Sequence, residues 1–262
     1  MELQTLVSTM HQNDKKLIER MNIRSNAIVI NQCDNEKIEE YSLNNFHIKW
    51  INSKKRGLSI SRNMALDNAD CDICHLADDD LKYIGGYEEI ILSQFRKYPD
   101  VDIIAFQVEG IERAFKNYYP YPRQITFLSS MKISSVEVAF RLEKVKQTKV
   151  RFNELFGSGS KYFMGEENIF LAECLRSGLK IMYVPIKIAN LHLGESTWFK
   201  GFNKEYFINR GAVFTALSKK LSFFFILQFA LRKSKLFTDE ISIYQAIKFM
   251  LEGRRQLLKE KL

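Results

Sequence analysis

Proline is scarce in this chain, and so are cysteine and long apolar runs. Four prolines and twelve glycines in 262 residues exclude a collagen-like or low-complexity chain. The first proline is Pro99, so the opening third is free of that helix and sheet breaker. The four cysteines, Cys33, Cys71, Cys74 and Cys174, are too spread to read as a secreted disulfide scaffold. Met1–Val7 runs straight into an alternating apolar segment, with no basic-then-apolar leader or small-residue cleavage site. The longest near-continuous apolar run, Leu221–Leu231, is about half of the ~20 residues that a spanning helix requires. These absences predict a soluble, reduced, cytoplasmic protein whose membrane contact, if it has any, is at the surface.

What is present is a chain able to form a real core. It is 46% hydrophobic and 13% aromatic, too apolar for a disordered polymer, and long enough for one large domain or one domain with an appendage. The net charge of +8 is unevenly placed. Residues 195–262 hold 13 basic against 6 acidic side chains, leaving only +1 for the first 194 residues. A basic tail attracts nucleic acid, acidic headgroups or an acidic partner. A nucleic-acid-binding protein would want basic residues along a fold-wide groove, and the first 194 residues are nearly neutral, so no nucleic acid is expected as partner.

Short apolar runs alternate with helix-like stretches. Strands are predicted at Leu3–Thr9, Ala27–Ile30, Ile48–Ile51, Ile73–Ala77 and Val101–Val108. Helices are predicted around Lys15–Met21, over Gly57–Asn68 with Leu58, Met64 and Ala65 inward, and over Tyr87–Lys97. The pattern breaks between Glu109 and Arg123 and resumes at Val136–Leu142. A helix from Gly165 to about Ser177, strands at Leu179–Val184 and Ile186–Leu193, and a wholly helical stretch beyond Gly194 follow. No internal repeat is found. The rhythm predicts an α/β fold, a mostly parallel sheet with helices on both faces, in which ligands sit beyond the carboxyl ends of the strands. The loops after Val7, Ile30, Ile51, Leu76 and Val108 are therefore the ones expected to carry function.

Asp78-Asp79-Asp80 directly follows an apolar strand. Massed carboxylates repel one another unless a cation is near, and such oxygen-rich clusters suit Mg²⁺ or Mn²⁺ shared with substrate phosphates. A solvated acidic turn or a helix N-cap gives the same residues. Gly165-Glu166-Glu167-Asn168 places two acids at a helix start, where the helix dipole favours them anyway; together with the aspartates they supply a second carboxylate site of the kind a general base requires. Cys71-Asp72-Ile73-Cys74 has metal-pair spacing, but no second pair completes a tetrahedral site. Gly157–Ser160 lacks the ending of a phosphate-binding P-loop. Tyr118–Tyr121 offers rings that stack on sugars or simply pack; His11, His47 and His75 carry no assigned role.

The order of these features resembles a family 2 glycosyltransferase, an inverting enzyme of the Rossmann-like GT-A fold. The matching pieces are Val7-Ser8-Thr9, Ile28–Gln32, the stretch Gly57-Leu58-Ser59-Ile60-Ser61-Arg62-Asn63-Met64-Ala65-Leu66, Leu76–Asp80, Gly165–Asn168 and His192. The resemblance covers residues 1–195 and implies a catalytic domain there, with a nucleotide-sugar half over 1–108 and an acceptor half over 109–195. Residues 196–262 remain as a basic, amphipathic helical extension.

The resemblance also implies roles. Asp78 and Asp80 match the DxD-type motif, with Asp79 between them; Asp80, Asp78 and His192 are the implied metal ligands, for Mn²⁺ or Mg²⁺. Ser8, Thr9, Asn31, Gln32, Arg62, Asp78 and Asp79 fall where relatives hold the nucleotide sugar. Glu167 stands where these enzymes usually place an aspartate as catalytic base, with Glu166 its acidic neighbour and the alternative base. Asn31-Gln32 replaces commoner aspartates. The implied reaction moves a sugar from a nucleotide-sugar donor, a UDP-sugar, to a saccharide or lipid-linked oligosaccharide in surface polysaccharide synthesis. A sugar-phosphate nucleotidylyltransferase is the nearest alternative, although Ser8–Lys16 lacks the glycine-rich loop such enzymes carry.

Leu221–Leu231 is flanked by Lys219, Lys220, Arg232, Lys233 and Lys235. Apolar residues bracketed by cations suit an interfacial helix on anionic lipid. Residues 219–235 are thus expected either to hold the protein on the inner face of the cell membrane or to pack as a core helix against the sheet or a subunit partner, as in a homodimer.

Overall fold

The computed structural model describes residues 1–194 and 201–260. The chain opens with β1 (Leu3–Met10), a short α1 (Leu17–Arg20) and β2 (Asn26–Gln32). Next come β3 (Lys37–Leu43), β4 (Phe46–Ser53), α2 (Leu58–Asn68), β5 (Ile73–Asp78), β6 (Leu81–Tyr83) and α3 (Tyr87–Lys97). The second half adds β7 (Ile103–Gly110), β8 (Arg123–Gln124), α4 (Phe127–Ser130), a 3₁₀ turn at Ser135–Glu137, β9 (Val138–Arg141) and α5 (Leu142–Thr148). The chain continues through α6 (Glu166–Arg176), β10 (Ile181–Leu191), α7 (Lys204–Leu217), α8 (Ser222–Arg232), a 3₁₀ turn at Ser234–Leu236 and α9 (Ile243–Lys259).

The described strands form one sheet in the order β3-β4-β2-β1-β5-β9-β7-β10-β6, with β8 on β10. The neighbours β4, β2, β1 and β5 are parallel, as are β7 and β10, whereas β9 runs antiparallel between β5 and β7. The sheet is thus mixed, with helices on both faces. β1 alternates between the two: Leu3 and Val7 enter the apolar layer under α3, and Leu6 enters the layer under α2, α5 and α6. A third apolar cluster joins α7, α8 and α9 to Phe156, Tyr162, Met164, Ile169 and Ala172 of the preceding segment.

Several local expectations need correction. β3 was not expected, because an exposed edge strand carries charges (Lys37, Glu39, Glu40) rather than a buried alternation. It joins β4 through Asn44-Asn45, both at positive φ (50° and 70°), the conformation of a tight two-residue hairpin turn. The two strands expected at Leu179–Val184 and Ile186–Leu193 are the single strand β10, whose register shifts between Tyr183 and Ala189 around Pro185, a residue with no N–H to donate. α2 buries Ser59, Ser61, Arg62, Asn63, Ala65 and Leu66, while Leu58 and Met64 are only half-buried. Its inward face is largely polar, and apolar periodicity cannot find such a face.

In the C-terminal helices, α7 and α9 cross backbone against backbone. A Cβ on Gly211 would lie 1.9 Å from the Met250 carbonyl oxygen, and one on Gly253 would lie 1.9 Å from that of Ile208. Among the described residues no helix is long and apolar enough to cross a membrane.

Candidate active site

β1 lies between β2 and β5, so the chain leaves it in one direction and returns on the other side. That reversal opens a crevice beyond the carboxyl ends of the strands, where open sheets bind ligands. Thr9 and Asp79 meet across it, the Thr9 hydroxyl donating to Asp79 Oδ2 at 2.5 Å, and Gln12 Nε2 donates to the same oxygen at 3.3 Å. Ser8, one residue back on the α2 face, accepts from Ser61 Oγ at 2.8 Å.

On the β2 side, Asn31 is buried and committed. Its Oδ1 accepts from Gln12 N at 3.0 Å, and its Nδ2 donates to Gln12 O and to Asn52 Oδ1, which also accepts from Trp50 Nε1. Asn31 thereby fixes the start of the loop after β1. Gln32 Oε1 accepts from Gly57 N at 2.8 Å and anchors the start of α2.

The centre of the site is Arg62, 2% exposed on α2. Its Nη1 donates to Glu166 Oε1 at 2.8 Å, and its Nη2 donates to Asp78 at 3.1 and 3.3 Å and to Ser135 Oγ at 2.7 Å. Burying a guanidinium is costly unless it is paired, and here two carboxylates and a hydroxyl meet it. The loss of hydration lowers its pKa, but Asp78, Glu166 and Glu167 outweigh this and leave Arg62 more firmly protonated than usual. One cation therefore ties the aspartate cluster after β5 to the acid pair opening α6.

Gly165 shapes that acid pair. At φ 85° it sits in the left-handed region, and a Cβ there would come within 2.7 Å of Val213 on α7. The helical extension therefore presses directly on the start of α6. Glu166 is buried in its ion pair, while Glu167 is half-buried. The Glu167 carboxyl is raised above the usual range by burial first and by the neighbouring Glu166 charge second, with Arg62 opposing. Gly157, in the turn before α6, lies against Glu166, and Ser59 Oγ donates to Phe156 O at 2.7 Å. That turn packs on α2 as a clamp.

Asp80 and His192 meet at the other edge of the cleft. β6 pairs antiparallel with β10, and His192 N donates to the Asp80 carbonyl at 3.0 Å. Although the Asp80 residue is exposed overall, its carboxyl is desolvated within this corner and faces Asp78 and Asp79. Desolvation first, and these charges second, push it up to about 7. His192 Nδ1 is 3.1 Å from Glu112 Oε1, and Glu112 Oε2 accepts from Leu193 N.

The structure thus brings Ser8, Thr9, Asn31, Gln32, Arg62, Asp78, Asp79, Glu166 and Glu167 around the strand ends in separate groups: Thr9, Asp79 and Asn31 joined through Gln12, Arg62 with Asp78 and Glu166, Ser8 on Ser61 and Gln32 on Gly57, with Asp80 and His192 beside them. Sequence reasoning missed Gln12, Asn52, Ser135 and Glu112. Three of the four lie on or beside the loops after β1, β4 and β7, where the open-sheet rule points, but nothing in their identities sets them apart. The cysteines are all free, and Cys74 is buried in β5. His75 is also buried there, 2.8 Å from Tyr83 Oη.

Residues 15–170 match the family model for glycosyl transferase family 2. The chain belongs to that family. It is accordingly a glycosyltransferase with a GT-A fold, which sets aside the nucleotidylyltransferase reading. No curated protein sequence matches it. Among solved structures it is similar to S. aureus TarS 1-349 in complex with UDP, at 13% identity and a TM-score of 0.67, covering 100% of this chain and 82% of that one. The same TarS fragment in complex with UDP-GlcNAc superposes with a TM-score of 0.65 at 11% identity, covering 98% and 90% of the two chains. Against S. aureus TarS as a longer chain, the TM-score is 0.60 at 13% identity; 82% of the transferase is covered, but it spans only 39% of that protein's length.

Proposed function

We propose that this glycosyltransferase moves a sugar from a nucleoside-diphosphate sugar, a UDP-sugar, to a hydroxyl of a saccharide or lipid-linked acceptor, with inversion at the anomeric carbon. The observation that carries the reading is Arg62 bridging Asp78 and Glu166, because it holds a diphosphate-side acid cluster and a base-side acid pair at one cleft. The complexes of TarS with UDP and UDP-GlcNAc support a uridine nucleotide as donor.

A divalent cation fits the donor set. Three consecutive carboxylates crowd one corner, and the raised Asp80 carboxyl reports repulsion and desolvation that a hard cation would relieve. Asp80, Asp78 and His192 are the residues that would hold Mn²⁺ or Mg²⁺. Among the described residues no three such side chains form a ready cage, so substrate phosphates would have to complete the shell of the ion. When bound, the cation would neutralise charge on the departing diphosphate.

The protein's own residues do the rest. Thr9, Gln12 and Asn31 shape the pocket wall where the base and ribose would lie. Glu167 takes the proton of the acceptor hydroxyl: it is the less buried residue of the pair, whereas Glu166 is spent on Arg62. A lipid-linked acceptor would place the enzyme on the inner membrane face, with residues 219–235 as its contact.

The test is a thermal-shift screen of nucleotide sugars with and without Mn²⁺, followed by transfer assays on the wild type and Asp80→Ala. A UDP-sugar should raise the melting temperature more with Mn²⁺ than without it. Asp80→Ala should lose that increment and its turnover. Full transfer by Asp80→Ala would refute the metal assignment.

A further inference from the structure

α8 buries one face and leaves the other bare. Ser222, Phe225, Ile226 and Ala230 face inward, with Phe225 against Phe214 and Phe127, and Ser222 Oγ accepts from Arg254 Nε. The opposite face should be polar in a helix that only packs on its own protein. Here it carries Phe223, Phe224 and Leu231, which are 52%, 60% and 64% exposed, with half-buried Leu227 among them. Gln228 is the one polar side chain in that stretch of surface. Leu221 just before the helix and Leu236 just after it are also exposed.

The charges around this face have one sign. Lys219 and Lys220 precede the helix, and Arg232, Lys233 and Lys235 follow its last apolar residue, all exposed. No acidic residue occurs between Glu205 and Asp239, a stretch with six basic side chains. The helix has 11 residues, roughly 16 Å of rise, too short to cross a ~30 Å hydrocarbon layer but able to lie flat along it.

We propose that the outward face of α8 docks the enzyme on an anionic lipid bilayer, with Phe223, Phe224, Leu227 and Leu231 at the acyl boundary and the cations at both helix ends on lipid phosphates. Charge decides the occupant. A second copy of this chain would bring the same cations against these, whereas an anionic surface neutralises all of them. The inference rests on the transferase reading only for the acceptor it brings within reach. α7, which packs on α8 through Phe214, also packs on Gly165 through Val213, so docking would hold the start of α6 close to the lipid surface.

Flotation of the full chain with phosphatidylglycerol-containing vesicles, and with pure phosphatidylcholine vesicles, tests the proposal. The wild type should float with the anionic vesicles alone and be released by high salt. Phe224→Glu should stay unbound at an unchanged melting temperature. Lys219→Gln with Lys220→Gln should weaken binding, about fivefold per cation removed. A wild type that fails to float, or a Phe224→Glu variant that floats equally well, overturns the proposal. So does velocity sedimentation showing a wild-type dimer that Phe224→Glu dissolves while neither binds vesicles. A UDP thermal shift on the same samples keeps the two readings apart: flotation without a shift removes the donor assignment and leaves docking, and a shift without flotation does the reverse.

Discussion

Arg62 and Glu166 stand 104 residues apart in the chain and 2.8 Å apart in the folded protein, as a buried ion pair. The same guanidinium reaches Asp78 and Ser135, so three other segments converge on one side chain. Without Arg62, two carboxylates would face each other across a low-dielectric cleft.

Removing that cation is therefore expected to cost both fold and activity. Arg62→Met leaves Glu166 and Asp78 uncompensated and should lower the unfolding free energy by about 3–5 kcal/mol. Arg62→Lys keeps the charge but not the fork, and should recover only part of the stability. Urea denaturation measures both variants. An Arg62→Met protein as stable as the wild type would show that the pair does not hold the cleft together.

The two adjacent glutamates should separate by phenotype. Glu167→Gln should lower turnover by about 10²–10⁴-fold while the UDP thermal shift persists, as expected of the proposed base, which would serve the acceptor and not the donor. Glu166→Gln should instead lose stability, since it breaks the ion pair. A dead, stable Glu166→Gln beside an active Glu167→Gln would reverse the assignment.

Glu167 also makes a pH prediction. Its folded pKa is raised, so the native state holds a proton that the unfolded state releases, and stability falls as pH rises from the ordinary carboxylate range through the folded value. Glu167→Gln removes this cost. The variant should match the wild type in acid and melt at a higher temperature than it near neutral pH and above. The acidic limb of the turnover profile should likewise lie above the ordinary carboxylate pKa. Parallel melting curves for the two proteins across the pH range would contradict the shift.

Glu112 should tune cation binding without touching the cation. It fixes His192 through Nδ1 and is itself held below the usual range, by the Leu193 N–H first and by His192 second. Glu112→Gln should weaken Mn²⁺ affinity by about 10–100-fold, read by titration calorimetry in the presence of UDP. Unchanged affinity would leave His192 outside the metal site.

The α7–α9 crossing has no room for a methyl group. Gly211→Ala and Gly253→Ala should each destabilise the protein by about 1–3 kcal/mol through overpacking, and the loss should appear in the thermal midpoint. If either variant melts with the wild type, the helices have space to part.

Periodicity made α3 legible to the residue: Tyr87, Ile91, Leu92 and Phe95 share its buried face, acids open it and bases close it. The strand ending in Asp78 and the helix starting after Gly165 were equally plain, because apolar runs and glycine stops are local signals. β3 and the unity of β10 were not, since an exposed edge and a strand bent at Pro185 lack the pattern of a buried strand. The polar face of α2 stood out in the sequence only through the family resemblance, and its partners were not legible there: Ser59, Ser61, Arg62 and Asn63 meet Phe156, Ser8, Glu166 and Phe152 across the fold.

By itself, the sequence determined the alternation of strand and helix, the place of the acids at element ends, and the basic character of the tail. All of these follow from neighbours a few residues apart. Only the tertiary structure decided that Glu166 is tied up by Arg62 while Glu167 is the less buried of the two, that Asn31 is committed to Gln12 and Asn52, and which side of α8 remains bare. Burial and pairing belong to groups brought together from distant parts of the chain, and spacing along one dimension does not encode which of them will meet.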